Sequence, residues 1–261
     1  MAARPPLIAG NWKMHKTASE GVAVVRELLA LAADPSPVEA VLAPPFTALA
    51  AVSQAIAGSP YALAAQNMHW EDHGAFTGEI SAPMLTDLGC RYVIIGHSER
   101  RRLFGEDDRM INNKVRAALR HDLRPILCVG ETLAERDCGS MNAVITRQLT
   151  NGLAGIEPTA LGHLTIAYEP VWAIGTGQAA TPAQATDAHR TLRQLLMDTW
   201  ADAGRAVRIL YGGSVTAENA AGFLGAAEVS GALVGGACLD PKSFAKILRF
   251  AKDSLASHQG A

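Results

Sequence analysis

The chain has 261 residues, of which 49% are hydrophobic and 18% charged, and its formal net charge at pH 7 is -2. This length allows a large buried core, and the slightly negative charge excludes the basic surface on which nucleic-acid binding depends. No apolar run approaches the length of a membrane span, so we expect no membrane segment. Glycine and proline are spread along the chain without a linker-like cluster, which favours one domain over residues 1–261.

The cysteines indicate reduced thiols and not a disulfide framework or a zinc site. None forms a C-x-x-C pair, and none lies near a histidine at zinc-ligand spacing. The N-terminal segment lacks the apolar core of a signal peptide. We therefore predict a cytoplasmic protein without a metal site, whose thiols are Cys90, Cys128, Cys138 and Cys238.

Eight short apolar runs predict eight β-strands, with helical periodicity between them. The predicted strands are Leu7–Ala9, Val38–Ala43, Tyr61–Ala65, Tyr92–Ile95, Pro125–Val129, Leu164–Tyr168, Val207–Tyr211 and Gly231–Val234. Strand and helix alternating eight times predict an α/β fold in which a parallel sheet closes into a (β/α)8 barrel. An open, doubly wound sheet is the alternative, but no G-x-G-x-x-G follows the first strand.

Two of the intervening helices carry strong start signals. Thr17 and Glu20 form a capping box before a helix whose core-facing residues we predict to be Val22, Val25, Leu29 and Ala32. After the sixth strand, Thr181 is the predicted N-cap and Pro182 the first helical residue, with Gln184 completing the box. The core-facing residues of that helix would be Ala185, Ala188, Leu192, Leu195 and Thr199.

Polar residues and glycines follow nearly every predicted strand, and in a parallel barrel these ends share one face. They are Asn11, Lys13, Gln66, Asn67, His97, Ser98, Glu99, Cys128, Glu131, Glu169, Gly212, Gly213, Ser214, Gly235 and Gly236. The period-two alternation of a strand predicts which of them point into the barrel. We predict inward-facing sets of Thr165, Ala167 and Glu169, of Val93, Ile95 and His97, and of Ala9 and Asn11.

The segment after the sixth strand joins an acid to an apolar loop. Glu169 ends the strand, and the loop behind it is apolar where a solvated connector would be polar. A carboxylate shielded by such a lid can have its pKa raised towards neutrality and act as a general base, the alternative being a surface acid beside a helix. The predicted lid comprises Pro170, Val171, Trp172, Ala173, Ile174, Gly175, Thr176 and Gly177.

Further strand-end groups complete a possible site. Ser98 can cap a short helix and keep the imidazole of His97 neutral, so that it can donate a hydrogen bond to a carbonyl; the alternative is a structural histidine. Lys13 offers positive charge to an anion, although a lone lysine is usually solvated. The glycines after the last two strands suit a phosphate cradle or ordinary turns. Together they suggest proton abstraction beside a carbonyl on a small phosphate ester, without a cofactor, and Cys128 is best explained as a packed core thiol.

Six motifs, in order along the chain, resemble those of the triosephosphate isomerase family, whose fold is the TIM barrel. They are Gly10–Met14, Gly74–Glu79, Ile94–Arg101, Tyr168–Gly177, Tyr211–Ser214 and Leu233–Gly236. The resemblance covers the chain from end to end. It implies interconversion of dihydroxyacetone phosphate and D-glyceraldehyde 3-phosphate through an enediolate, without a cofactor.

The resemblance also implies a role for each matching residue. Glu169 would move the proton between the two carbons, and His97 would polarise the carbonyl as a neutral imidazole. Lys13 and Asn11 would stabilise the enediolate oxygens, and Glu99 would order Lys13. The substrate and phosphate site would comprise Asn11, Lys13, Gly175, Ser214, Leu233, Gly235 and Gly236, with Ile174 and Leu233 enclosing the base.

Members of this family are usually homodimers in which a loop reaches the partner's site, and Gln66, Asn67 and Thr77 match that pattern. The chain departs from the family pattern at Gln178, at Cys238 and in the stretch 137–141. Two other functions compete. One is another phosphate-binding barrel enzyme, such as a phosphosugar isomerase or a lyase, and the other is a non-catalytic phosphate binder. Neither needs Lys13, His97 and Glu169 together.

Overall fold

A computed structural model describes residues 4–174, 180–226 and 228–259 of the chain, with side chains described as far as residue 255. Within these residues, eight parallel strands pair in sequence order and close into one barrel, since β1 pairs with both β2 and β8. The strands are β1 Leu7–Asn11, β2 Glu39–Ala43, β3 Ala62–Ala65, β4 Cys90–Ile95, β5 Arg124–Val129, β6 Thr165–Tyr168, β7 Arg208–Tyr211 and β8 Gly231–Val234. The predicted (β/α)8 barrel is confirmed, and each predicted strand overlaps an observed one.

Ten α-helices surround the barrel in the described part of the chain. They are α1 Ala18–Leu31, α2 Leu49–Ala55, α3 Ala82–Asp87, α4 Ser98–Phe104, α5 Asp108–Arg120, α6 Leu133–Asp137, α7 Met141–Gly152, α8 Pro182–Arg205, α9 Ala220–Leu224 and α10 Pro241–Gln259. Short 3-10 turns occur at Phe46–Ala48, Pro158–His163, Val171–Ala173 and Gly236–Leu239. Several loops between a strand and its helix are therefore partly helical.

The predicted helix starts are confirmed, but the buried faces differ from the prediction. Both Thr17 and Thr181 cap their helices with complete capping boxes, and Pro182 is the first residue of α8. The buried face of α1 is displaced by about one residue, to Gly21, Val24, Val25 and Leu28. Gly21 faces the core because the Trp12 ring packs there, 3.1 Å from where a side-chain Cβ would lie. In α8 the buried residues include Ala185, Ala188 and Leu192 as predicted, but Leu196 in place of Leu195 and Thr199.

The barrel interior is filled by a small cluster drawn from the strands, many of them alanines. Its members are Leu7, Ala9, Val41, Ala43, Ala62, Ala64, Tyr92, Ile94, Ile126, Cys128, Ala167, Leu210 and Leu233. Ala9 and Ala167 face inward, in keeping with the prediction for the strands that lead to Asn11 and Glu169. The prediction for β4 is wrong, because Tyr92 and Ile94 face inward while Val93 and Ile95 pack in the outer core against the helices.

Candidate active site

Glu169 lies at the carboxyl end of β6, buried at 1% exposure. Its backbone N–H donates to the Val129 carbonyl at 2.8 Å and so extends the pairing of β5 with β6 by one residue. Because the alternation of β6 continues from Ala167, the carboxylate lies at the mouth of the barrel. On the other side, the backbone just after β7 packs against the Glu169 side chain, because a Cβ at Gly212 would lie 3.0 Å from Glu169 Cγ. A larger residue at that position would press on the catalytic candidate, so the small size of glycine suits the site.

Two groups at the start of α4 contact this carboxylate. Glu169 Oε1 lies 2.9 Å from His97 Nε2, and Oε2 accepts a hydrogen bond from the Ser98 N–H at 2.8 Å. Burial raises the pKa of Glu169, but the charge and hydrogen bond of His97 and the hydrogen bond from the Ser98 N–H outweigh it, so that the pKa lies below its usual value. The sequence-based expectation that burial prevails and raises this pKa towards neutrality is not met in this arrangement.

His97 is the N-cap residue of α4, where its Nδ1 accepts a hydrogen bond from the Glu99 N–H at 3.2 Å. An acceptor at Nδ1 leaves the ring proton of neutral imidazole on Nε2, the atom that faces Glu169. Burial lowers the pKa of His97, and the adjacent Glu169 carboxylate more than offsets this, so the pKa is raised. The ring reaches the mouth of the barrel because Gly96 has a left-handed φ of 70°, which interrupts the alternation of β4.

Lys13 is held in a strained backbone conformation with φ of 53°. Its N–H donates to Asn11 Oδ1 at 3.0 Å, and its carbonyl accepts from Gln66 Nε2 at 2.8 Å. The ammonium lies 2.6 Å from Glu99 Oε1, as the predicted ordering of Lys13 by Glu99 requires. Gln66 therefore supports the site within its own chain, a contact that the sequence analysis did not anticipate.

A cleft of about 270 Å³ lies over these groups, a size that suits a small ligand. Nine of the predicted site residues line it, namely Asn11, Lys13, His97, Glu169, Ile174, Ser214, Leu233, Gly235 and Gly236. Gly175, Thr176 and Gly177 of the predicted site and lid lie outside the described residues, as does Gln178. The cleft thus combines a carboxylate, an imidazole, an ammonium and a wall of glycine backbone, which is a set able to move a proton on an anionic substrate.

A buried carboxylate, Glu131, anchors the first residues of the predicted lid. Its Oε1 accepts from Trp172 Nε1 at 2.8 Å and from Arg136 Nη1 at 3.0 Å, and Tyr168 Oη donates to both of its oxygens. The Arg136 guanidinium also lies over the Trp172 ring, 4.5 Å from its centre. In the sequence, Glu131 is recognisable only as an acid at a strand end, directly before Thr132, the N-cap of α6. Its role as an anchor depends on contacts with Tyr168 and Trp172, which lie far along the chain.

The residues predicted to lie at a dimer contact differ in their exposure. Asn67 is buried and its Oδ1 accepts from Lys114 Nζ at 2.8 Å, whereas Thr77 is exposed in the loop that follows. In this loop the His69 ring stacks on Trp70 and contacts Phe76. Phe76 remains 42% exposed, so the loop presents an apolar surface.

Of the departures from the family pattern, Cys238 and the stretch 137–141 do not line the cleft, and Gln178 lies outside the described residues. Cys128 and Cys238 are buried, and burial raises the pKa of both thiols well above the usual value, so neither is a reactive thiolate. The stretch 137–141 joins α6 to α7. The described residues hold no cluster of three metal-ligating side chains and no helix long and apolar enough to cross a membrane.

Comparison with known proteins gives consistent matches along nearly the whole chain. The family model described as "Triosephosphate isomerase" matches residues 6–251. The chain is 51% identical over 248 residues to the triosephosphate isomerase of Chloroflexus aurantiacus, covering 95% of this chain and 99% of the relative. It is 52% identical over 254 residues to that of Symbiobacterium thermophilum, covering 97% and 99%. The crystal structure of triosephosphate isomerase from Bartonella henselae superposes with a TM-score of 0.86 at 40% identity, covering 95% of this chain and 99% of that one.

Proposed function

The chain belongs to the triosephosphate isomerase family, and from that membership we propose how its own residues carry out the reaction. Its function is the isomerisation of dihydroxyacetone phosphate and D-glyceraldehyde 3-phosphate, a step of glycolysis and gluconeogenesis. The observation that supports the residue assignment is the 2.9 Å separation of the Glu169 carboxylate from His97 Nε2 in one cleft with Lys13.

Glu169 acts as the base of the proposed mechanism. Its carboxylate removes a proton from the substrate carbon next to the carbonyl, and the electron pair of that bond forms the double bond of an enediolate. The same carboxyl group then returns the proton to the neighbouring carbon, and the hydroxyl proton moves from one substrate oxygen to the other, so that the carbonyl and the hydroxyl exchange places. Oε2 is held by the Ser98 N–H, whereas Oε1 faces the His97 ring, whose Nε2 lies 2.9 Å away, so we assign Oε1 as the oxygen that takes the proton.

His97, Lys13 and Asn11 stabilise the charge that develops on the substrate oxygens. The raised pKa of His97 comes from the Glu169 carboxylate beside Nε2; with the substrate carbonyl at Nε2 instead, the ring acts as a neutral imidazole whose Nε2–H donates to the carbonyl oxygen. The ammonium lowers the energy of the enediolate anion. Glu99 keeps the ammonium in place through its 2.6 Å contact. Since these side chains supply the base, the hydrogen-bond donor and the charge, the proposed reaction uses no cofactor.

The phosphate lies against the backbone of the last two βα loops. Ser214, Gly235 and Gly236 line that side of the cleft, and Gly175 is assigned to the same site although it lies outside the described residues. Ile174 and Leu233 line the cleft close to Glu169 and exclude water from it. We assign 170–177 as the lid over this site, with Pro170 at its start.

Assembly and location follow from surface features. Met14 is 94% exposed and Phe104 65% exposed, and an apolar surface of this kind marks an interface. We infer a homodimer in which Gln66, Asn67 and Thr77 belong to the contact region. The four free cysteines favour a cytoplasmic location, and the continuous barrel favours a single domain over residues 1–261.

The test is turnover of each triose phosphate by the purified protein in assays coupled to NADH. The Glu169→Gln variant keeps the shape of the side chain but loses its basicity, so kcat should fall by at least about 10²-fold. Glu157→Gln, an exposed acid outside the cleft, is the control and should match the parent. A folded parent with no turnover of either substrate would support a phosphate binder or another barrel enzyme instead.

A further inference from the structure

One arginine links the two strand ends that support the proposed acid–base pair. Arg101 lies in α4, and its backbone N–H donates to the His97 carbonyl at 3.1 Å. Its side chain folds back towards the barrel, where Nε donates to the Gly96 carbonyl at 2.9 Å and Nη2 donates to the Cys128 carbonyl at 3.2 Å. A single guanidinium therefore bridges the carboxyl ends of β4 and β5.

The bridge lies where the backbone pairing of these strands ends. The last registered pair of β4 and β5 joins Ile95 to Leu127, and Gly96 then turns away with its left-handed φ. Beyond this point the guanidinium continues the connection, because its rigid fork presents several donors in one plane. On the β5 side, the next carbonyl after Cys128 is that of Val129, which accepts the Glu169 N–H at 2.8 Å.

The guanidinium is itself fixed in place. Arg101 Nη1 lies 2.6 Å from Asp108 Oδ1, and each of the two side chains is 17% exposed. Gly96 provides the room for it, because a Cβ at that position would lie 3.3 Å from Arg101 Nη2 and 2.9 Å from Ile111 Cδ1. Arg101 can therefore hold the ends of β4 and β5 at a fixed separation, because its side chain is held by Asp108 and contacts both strand ends.

We propose that Arg101 is a positioning residue for the isomerisation, setting the separation between the strand end that carries His97 and the strand end that supports Glu169. It touches neither the cleft nor the reacting atoms, and it acts through the carbonyls of Gly96 and Cys128. The proposal rests on the proposed function, because the geometry that it maintains is that of the proton-transfer pair.

A positioning role predicts a change in kcat with little change in KM. The phosphate site lies on the loops after β7 and β8, which Arg101 does not contact in the described structure. A displacement of about 1 Å at reacting groups can cost about 10²-fold in rate, so we expect kcat of Arg101→Gln to fall by about tenfold or more. Arg101→Lys should have an intermediate kcat. Its ammonium keeps the positive charge, but it lacks the planar set of donors that binds two carbonyls and a carboxylate at once.

Arg147 offers a matched control. It lies 3.5 Å from the other oxygen of Asp108 and lines the same cavity of about 410 Å³ as Arg101, but within the described residues it donates no hydrogen bond to either carbonyl. Arg147→Ala should therefore keep the parent kcat. This cavity also offers a route for rescue, since Arg101→Ala would leave a guanidinium-sized space beside it.

The decisive experiment measures kcat and KM for the three Arg101 variants, Arg147→Ala and Glu169→Gln, then repeats the assay with guanidinium chloride below denaturing concentration. Guanidinium should raise kcat of Arg101→Ala several-fold and leave Arg147→Ala and Glu169→Gln unchanged. The proposal is wrong if folded Arg101→Gln stays within about twofold of the parent, if KM changes and kcat does not, if guanidinium restores nothing, or if no Arg101 variant folds by circular dichroism. Absence of turnover in the parent would instead overturn the proposed function.

Discussion

The ammonium of Lys13 and the carboxylate of Glu99 lie 2.6 Å apart, joining the loop after β1 to the first turn of α4 across the mouth of the barrel. Both side chains are partly exposed, so the pair contributes little to the free energy of unfolding, of the order of 0–1 kcal/mol. The contact with Glu99 instead fixes the position of the Lys13 ammonium in the cleft, where the left-handed backbone of Lys13 directs it.

Lys13→Met should remove most activity and leave the barrel folded. A fixed charge beside a developing oxyanion contributes about 10²–10³-fold to kcat, and the neutral thioether cannot replace it. Lys16→Met is a close control, because Lys16 also has a left-handed φ, of 73°, and lies outside the cleft. Initial rates and circular dichroism check both variants, and unfolding of Lys13→Met alone would show that the lysine is structural.

His189 should make the protein less stable in acid. The ring is buried against Tyr168, and burial lowers the pKa of His189 from 6.5 to about 4. Between these two values the unfolded chain binds more protons, so the free energy of unfolding falls as the pH decreases from 6.5 towards 4, by up to about 3 kcal/mol from this group. Above pH 6.5 the full stability is present.

Urea titrations at pH 7 and at pH 4.5 measure this contribution. His189→Asn should show a smaller loss between the two pH values, because its amide can still donate to the Glu228 carbonyl that His189 Nδ1 contacts and does not titrate. His163→Asn, at an exposed position, is the control. An equal loss in parent and His189→Asn would contradict the assignment.

Shortening the loop between Asn67 and Glu79 should convert the proposed dimer to monomers and abolish most activity. The loop is long for a connection in a barrel, and its Phe76 ring, 42% exposed, presents apolar surface outwards. Sedimentation of the parent and the shortened protein at micromolar concentration, with activity measured on the same samples, tests this. A parent that sediments only as a fully active monomer would rule out the dimer.

Deleting residues 173–176 should divert the intermediate to a side reaction. An enediolate phosphate can eliminate its phosphate when water reaches it, and Ile174 lines the cleft next to Glu169. Since Glu169 and His97 lie outside the deletion, proton abstraction should partly survive while methylglyoxal and inorganic phosphate accumulate. The ratio of methylglyoxal to isomerised product is the measurement. If that ratio does not rise in a folded deletion variant, the segment is not a lid.

The barrel could be predicted because each strand is a short apolar run and two of the helices between them begin with a capping box. Strand positions depend on burial over four to six residues, which the sequence displays directly. Which side chains of a strand point into the barrel depends on an alternation that a single irregular residue can reverse. In β4 the left-handed Gly96 does this, so alternation gave the correct location for His97 but the wrong side for Val93 and Ile95.

The candidate site residues at strand ends could be located from their positions, but most of the groups that hold them could not. Gln66 reaches the Lys13 carbonyl and Arg101 reaches the Cys128 carbonyl over 53 and 27 residues of sequence. Such contacts join side chains to the backbone of distant segments, and no spacing rule within one segment reveals them. The same holds for the Tyr168 and Trp172 side chains that meet on Glu131.

The left-handed Gly96 makes the direction of the His97 side chain independent of the inward and outward alternation of side chains in β4. Up to Ile95, the side chains of β4 fill the barrel and the outer core. After the glycine, the direction of His97 is determined by its place at the start of α4 and no longer by the pleat of the strand. Substitutions inside β4 can therefore alter the packing of the barrel without turning the imidazole, whereas any side chain at position 96 would couple the two again.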